Sequence, residues 1–172
     1  MVQELIELRQ SIVSGRYQDA LDIVDELEGM GKQAIIRNIE SFLVRLLVHL
    51  IKNNLEKRLT NSWAASISDS IRQIKKLNLK DNKKSFYISK NDWSEYLLEA
   101  FEAALFEASI EVCGGAYTPI QLEEMVNKEQ VIKIAYSLIL ITYDHSAKNL
   151  LSVVKQYFIN LPGGQDWLEK RI

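Results

Sequence analysis

The chain has 172 residues, of which 47% are hydrophobic and 26% charged, with 2 Pro, 7 Gly and one Cys. That balance fits a globular protein able to bury a core, and it excludes a disordered, collagen-like or disulfide-stapled chain. The formal net charge is −2, but it is unevenly placed. Residues 1–48 carry five Lys/Arg against eight Asp/Glu, residues 49–90 ten against three, and residues 91–172 six against twelve. A block as basic as 49–90 is either a polyanion-binding face or a solvated surface beside acidic neighbours.

The N-terminal MVQELIELRQ is charged early and lacks the apolar core of a signal peptide. The longest apolar run, 131–143, contains Lys133 and is shorter than the roughly 20 residues a membrane-spanning helix needs. A single cytoplasmic domain over 1–172, with no membrane span, is the expectation.

Residues 2–13 place Leu5, Ile6, Leu8, Ile12 and Val13 at helical spacing, and Ser14–Gly15–Arg16 breaks the pattern. A second helix follows, with Tyr17, Ala20, Leu21, Val24 and Leu27 on one side and Asp19, Asp22, Asp25, Glu26 and Glu28 on the other. Gly29–Met30–Gly31 is expected to stop it, because glycine takes the left-handed C-terminal conformation at little cost. The strongest pattern is 32–55. Ile35, Ile39, Phe42, Leu46 and Leu50 form one stripe, and Ile36, Leu43, Leu47 and Ile51 form another beside it. A helix apolar over so much of its circumference belongs at the centre of a bundle.

Thr60, Asn61 and Ser62 are competent N-caps for a helix carrying Trp63, Ile67, Ile71 and Ile74. Trp63 is its expected structural anchor. Residues 80–90 read as a polar, basic internal linker. A further helix from about Asp92 presents Ala100, Ala104 and Ala108, small enough for a neighbour to approach closely, and Cys113–Gly114–Gly115 ends it. Cys113 is expected to be a small buried hydrophobe. Thr118–Pro119 starts the next helix as cap and first residue. Residues 128–143 are rich in β-branched side chains, but their length favours a buried helix. A last amphipathic helix runs through Leu150, Val154 and Leu161 to Pro162–Gly163–Gly164, with Trp167 docking the tail. The fold class is all-α: a bundle of about six or seven helices around 32–55.

The chemistry search is mostly negative. Two histidines and one cysteine are too few for a Cys/His zinc site, and Glu-x-x-His, the di-iron bundle motif, does not occur. Gly29-x-Gly31-x-x-Ala34 matches the dinucleotide string, but it follows a helix where that loop needs a strand. No metal and no cofactor is expected. His49 is the one candidate catalytic residue, a general base if Glu26 or Glu28 is its partner, and otherwise a histidine hydrogen-bonded within the bundle. Arg58, Arg72, Lys75 and Lys76 are candidate polyanion contacts.

Several stretches occur in an order that resembles a largely cyanobacterial family of bacterial proteins known as domain of unknown function twenty-nine. They are DELEGMG (residues 25–31), HLIK (49–52), EKR (56–58), Ser62–Trp63 and SIRQI (70–74), with a fainter likeness in AYTPIQLEEM (116–125). The resemblance covers roughly residues 5–128 and leaves 129–172 as a C-terminal helical extension. Asn53 stands where members of that family often carry Trp. The resemblance implies an all-α fold and no assigned activity. The expected function is a non-enzymatic interaction module, with a protein partner or a second copy as ligand. The alternative is a nucleic-acid-associated, antitoxin-like regulator using 49–90, and third comes an enzyme using His49.

Overall fold

The computed structural model describes residues 1–169. Among them the helices are α1 (Val2–Val13), α2 (Tyr17–Glu56), α3 (Asn61–Asn78), α4 (Trp93–Glu111), α5 (Pro119–Met125), α6 (Lys128–Asp144), α7 (Ala147–Ile159) and α8 (Gly164–Glu169). Short 3₁₀ turns, Lys90–Asp92 and Val112–Gly115, flank α4. The all-α class expected from the sequence is observed. Residues 170–172 of the C-terminal extension lie outside the described residues. The chain divides into two compact units, Met1–Asn38 and Ile39 onward, and α2 supplies residues to both.

The first unit is a helical hairpin. Gly15 takes φ +70° in the connection, where the backbone N–H of Arg16 reaches back to the Ser11 carbonyl at 2.8 Å. Within this hairpin the buried residues are Ser11 and Ala20, while Leu8, Ile23, Val24 and Leu27 are half-buried. Val2, Leu5, Ile6, Ile12 and Val13 on α1 are 47–80% exposed, and Tyr17 and Leu21 on α2 are exposed as well. The apolar face read from α1 is therefore turned largely outward.

The expected stop at Gly29–Gly31 is not made; α2 runs through it as one 40-residue helix. Both glycines are followed by open space where a side chain would begin, and neither has positive φ. A glycine inside a helix costs about 1 kcal/mol, less than the cost of ending one helix and nucleating another. Residues 28–34 are all exposed, so no packing partner forces a bend there.

The second unit holds the core. Ile39, Leu43, Leu46, Leu47 and Ile51 of α2 are fully buried, as are Ile67, Ile71 and Ile74 of α3. Thr60 caps α3, its side chain accepting from the Trp63 N–H at 3.1 Å, and Trp63 is buried as its spacing indicated. Ala100, Ala104 and Ala108 of α4 are buried. Thr118 and Gln121 form a capping box at the start of α5, with Pro119 in the first turn. Residues 128–144 are helical despite their β-branched composition. Val131, Ala135, Leu138, Ile139, Ile141 and Thr142 are buried, so one side of this helix is core, while the half-buried Ile132 and Tyr136 line an open groove.

Residues 80–90 are tied more closely than a linker. Leu79 and Phe86 form an antiparallel bridge, and Asn82 accepts from the N–H groups of Lys84 and Ser85. Cys113 corrects its expectation, because it is exposed. It sits at φ 49°, ψ 38° ahead of two glycines at positive φ, and that left-handed turn carries the thiol out of the core.

Candidate functional site: the polar end of α2

The core stripes of α2 change character in its last two turns. Seven residues beyond Leu46 and Leu47 come Asn53 and Asn54, and four beyond the buried Val48 comes Lys52. All three polar residues are at most 4% exposed. A buried amide or ammonium is tolerated only if its hydrogen-bonding groups find partners, and each of these does. The Asn53 amide donates to the carbonyl of Arg58 at 2.9 Å and to that of Pro162 at 2.7 Å. Asn53 thus fastens the turn after α2 to the turn after α7. Asn54 donates to Gln130 Oε1 at 3.0 Å, and its own Oδ1 accepts the Asn127 N–H at 3.0 Å. It thereby fixes the first turn of α6.

Lys52 pairs with Glu111 at the end of α4. Its Nζ also lies 4.8 Å from the centroid of the Trp63 ring, and the Arg58 guanidinium lies 4.7 Å from the same ring. Attraction between cations and the ring quadrupole holds both side chains against the indole. Lys52 in turn holds the Glu111 carboxyl below its usual range.

His49 stands one turn before Lys52. Its Nδ1 is buried and finds no hydrogen-bond partner among the described residues. Burial pushes the imidazole down to about 4, and the nearby Lys52 and Arg45 charges push the same way while Glu111 opposes them. The carboxylate that acts on His49 is therefore Glu111. Glu26 and Glu28 lie about six turns earlier on the same uninterrupted helix. An imidazole titrating near 4 is neutral and a weak base at neutral pH.

A pH dependence follows from this shift. In the unfolded chain the imidazole titrates near 6.5, so on acidification the unfolded state takes the proton first. The stabilising contribution is fully present above about pH 6.5 and is lost as pH falls from there toward 4. Discounted because the ring is only partly buried, the loss is about 1–2 kcal/mol. Urea unfolding across pH 7 to 4.5 should show it, and His49→Leu should flatten that window. An unchanged slope in His49→Leu would refute a buried neutral imidazole. The stabilisation from the lowered Glu111 and Asp69 carboxyls is lost only further down, below about pH 4.5.

The four candidate polyanion contacts do not form one cluster. Arg58 precedes α3, while Arg72, Lys75 and Lys76 lie in its last two turns. Arg58 is stacked on Trp63 and pairs with Glu56 at 3.3 Å, and Arg72 pairs with Asp69 at 2.7 Å. Lys75 donates to the Thr142 carbonyl at 2.5 Å, and burial lowers its pKa. Lys76 is exposed.

A second polar cluster, missed in the sequence, closes the other end of α3. Asn78 donates to the Ile88 carbonyl and to the Tyr143 hydroxyl, each at 3.0 Å, and accepts the Ile88 N–H at 2.7 Å. The Tyr143 hydroxyl donates to the Ile88 carbonyl at 2.6 Å and accepts from Trp93 Nε1 at 2.5 Å. Among the described residues no group of three or more His, Cys, Asp or Glu is placed to hold a metal ion. No helix among them is long and apolar enough to cross a membrane.

Fold and site together define an all-α protein whose rare polar residues in the core act as ties between helix ends. The chain belongs to the family described as domain of unknown function DUF29, whose model matches residues 5–136. No curated protein and no solved structure matches it.

Proposed function

We propose that this protein is a non-enzymatic, cytoplasmic helical interaction module that associates through its N-terminal hairpin. The observation that carries the reading is the exposed stripe Val2, Leu5, Ile6, Ile12 and Val13 on α1, in a unit whose buried residues are Ser11 and Ala20. Units below about 40 residues usually need a further source of stability, and association is a common one. Covering a large aliphatic side chain contributes about 1.5–3 kcal/mol, so a partner seated on this stripe has ample driving force. The chemistry at His49 adds support, since a weak, neutral imidazole beside a committed Lys52–Glu111 pair suits structure better than proton transfer.

Sedimentation over a concentration series tests the reading. The wild-type chain should exceed monomer mass, and Leu5→Glu/Ile12→Glu should be monomeric with unchanged helicity. A wild-type chain that stays monomeric at every concentration removes self-association. The polyanion reading through Arg58, Arg72, Lys75 and Lys76 has less support, because three of the four are engaged within the protein. Nucleic-acid binding that falls steeply with salt and is lost in Arg72→Glu/Lys76→Glu would put it first.

A further inference from the structure

The two sides of the N-terminal hairpin differ in chemistry. On one side Glu7 and Gln10 of α1 and Asp19 and Asp22 of α2, with Arg16 from the connection, line a polar cleft of about 390 Å³. A helix turns about 100° per residue, so the register gives the residues on the opposite side. On α1 they are Leu5 and Ile12, each about 140–160° round from Glu7 and Gln10. On α2 they are Tyr17 and Leu21, about 100–160° round from Asp19 and Asp22. All four are more than half exposed. The half-buried Leu8 and Val24 fall at the seam between the two helices, so one apolar side spans both.

The charges on that side are sorted by helix. Arg9, which is exposed, is the one charge that the register places between Leu5 and Ile12. On α2, Asp25 and Glu28, also exposed, follow Leu21 at spacings of four and three. The side thus carries both halves of its own ion pair, the basic one on α1 and the acidic ones on α2. Two such hairpins can meet face to face in two ways. Laying α1 over α1 sets Arg9 toward Arg9 and Asp25 toward Asp25. Laying α1 over α2 sets Leu5 and Ile12 against Leu21 and Tyr17, with Arg9 beside Asp25. We propose that the same hairpin of a second copy covers this side, α1 of each chain lying antiparallel on α2 of the other in a four-helix bundle. This rests on the hairpin being the association surface, and it names what that surface meets. A two-fold axis parallel to the helices makes the contact twice, and every residue in it belongs to Met1–Asn38. The 12-residue α1 is about 18 Å long, and two helices side by side span about 20 Å. Two such faces remove on the order of 1,000 Å² from water, near the lower bound for a specific interface. The dimer is therefore expected to be reversible and concentration-dependent.

Sedimentation of the full chain at low salt, over a concentration series, is the test. It compares wild type, Leu5→Glu/Ile12→Glu, Tyr17→Glu/Leu21→Glu, Arg9→Glu, Asp25→Lys, and an equimolar mixture of the last two. Wild type should dimerise, and both glutamate pairs should be monomeric with unchanged helicity. Arg9→Glu and Asp25→Lys should each dissociate at least about threefold more readily than wild type, since like charges then meet in two copies of the contact. The mixture should recover the wild-type dimer, because each mixed pair again sets opposite charges together, and a misfolded variant cannot give that recovery. A dimer lost in Leu5→Glu/Ile12→Glu but kept in Tyr17→Glu/Leu21→Glu overturns the α1-on-α2 pairing and leaves the hairpin as the association surface. A mixture that stays as weak as its components does the same. A wild type that is monomeric at every concentration overturns this pairing and self-association together.

Discussion

Asn78→Ala is expected to destabilise the second unit by about 3 kcal/mol, read as a fall in the urea midpoint with an unchanged slope. The side chain is 1% exposed and makes three hydrogen bonds that join α3 to Ile88 and to α6. Alanine removes both donors and leaves the Ile88 N–H buried with no acceptor, which alone costs about 1–3 kcal/mol. Tyr143→Phe strips the same network from the other side, since its hydroxyl serves Asn78, Trp93 and Ile88 together. The double variant should therefore lose less than the two single losses combined, by at least about 0.5 kcal/mol. Strict additivity would show that the two residues act independently.

The helices were legible wherever an apolar period of 3.6 met a competent cap. Thr60, Thr118 and the stripes of 32–55 declared themselves, and the length of 128–143 decided correctly against its β-branched composition. Gly29–Gly31 misled, because a glycine reads as a stop only if the chain must turn there, and residues 28–34 have no neighbour that makes it turn. The outward face of α1 was illegible for a related reason: periodicity locates an apolar side, but not whether this chain supplies what covers it.

The polar ties were hidden by composition, which counts Asn and Lys as surface residues. A signal existed in their register. Extending the stripes of α2 by one heptad lands on Asn53 and Asn54, so their amides had to be buried or the helix had to end. Both happen, since α2 ends at Glu56. The choice of Glu26 or Glu28 as partner for His49 depended on a turn at Gly29–Gly31 folding the acidic helix back. Without that turn the neighbouring carboxylate comes from Glu111, 62 residues further along, which no local spacing in the sequence reveals.

Gly164→Ala is the second substitution with a large expected effect. A Cβ at this position would lie 1.7 Å from the Phe158 carbonyl oxygen and 2.9 Å from its carbon, and the obstacle is backbone, so no side-chain rotation relieves it. The start of α8 must move away from the last turn of α7. Three contacts go with it. The Trp167 ring leaves the face of Phe158, 5.6 Å away, and its Nε1 leaves Asn61 Oδ1 at 2.8 Å. The Pro162 carbonyl is pulled from the buried amide of Asn53. Uncovering Phe158 and stranding half of the Asn53 amide together predict a loss of about 3 kcal/mol or more. The loss should resemble that of a chain ending at Leu161, because both lack a docked α8, and protease should cut near Gly163 in the variant well before it cuts wild type. If Gly164→Ala instead unfolds at the wild-type midpoint with α8 still protected, the close approach of the two helix ends is not a constraint on the fold. The turn at Pro162–Gly164 is thus more than a helix terminator. It is where the turn between α7 and α8 grips the polar end of α2, so a fault there should also disturb the Asn53 tie to the Arg58 carbonyl and, through Arg58, the stacking on Trp63.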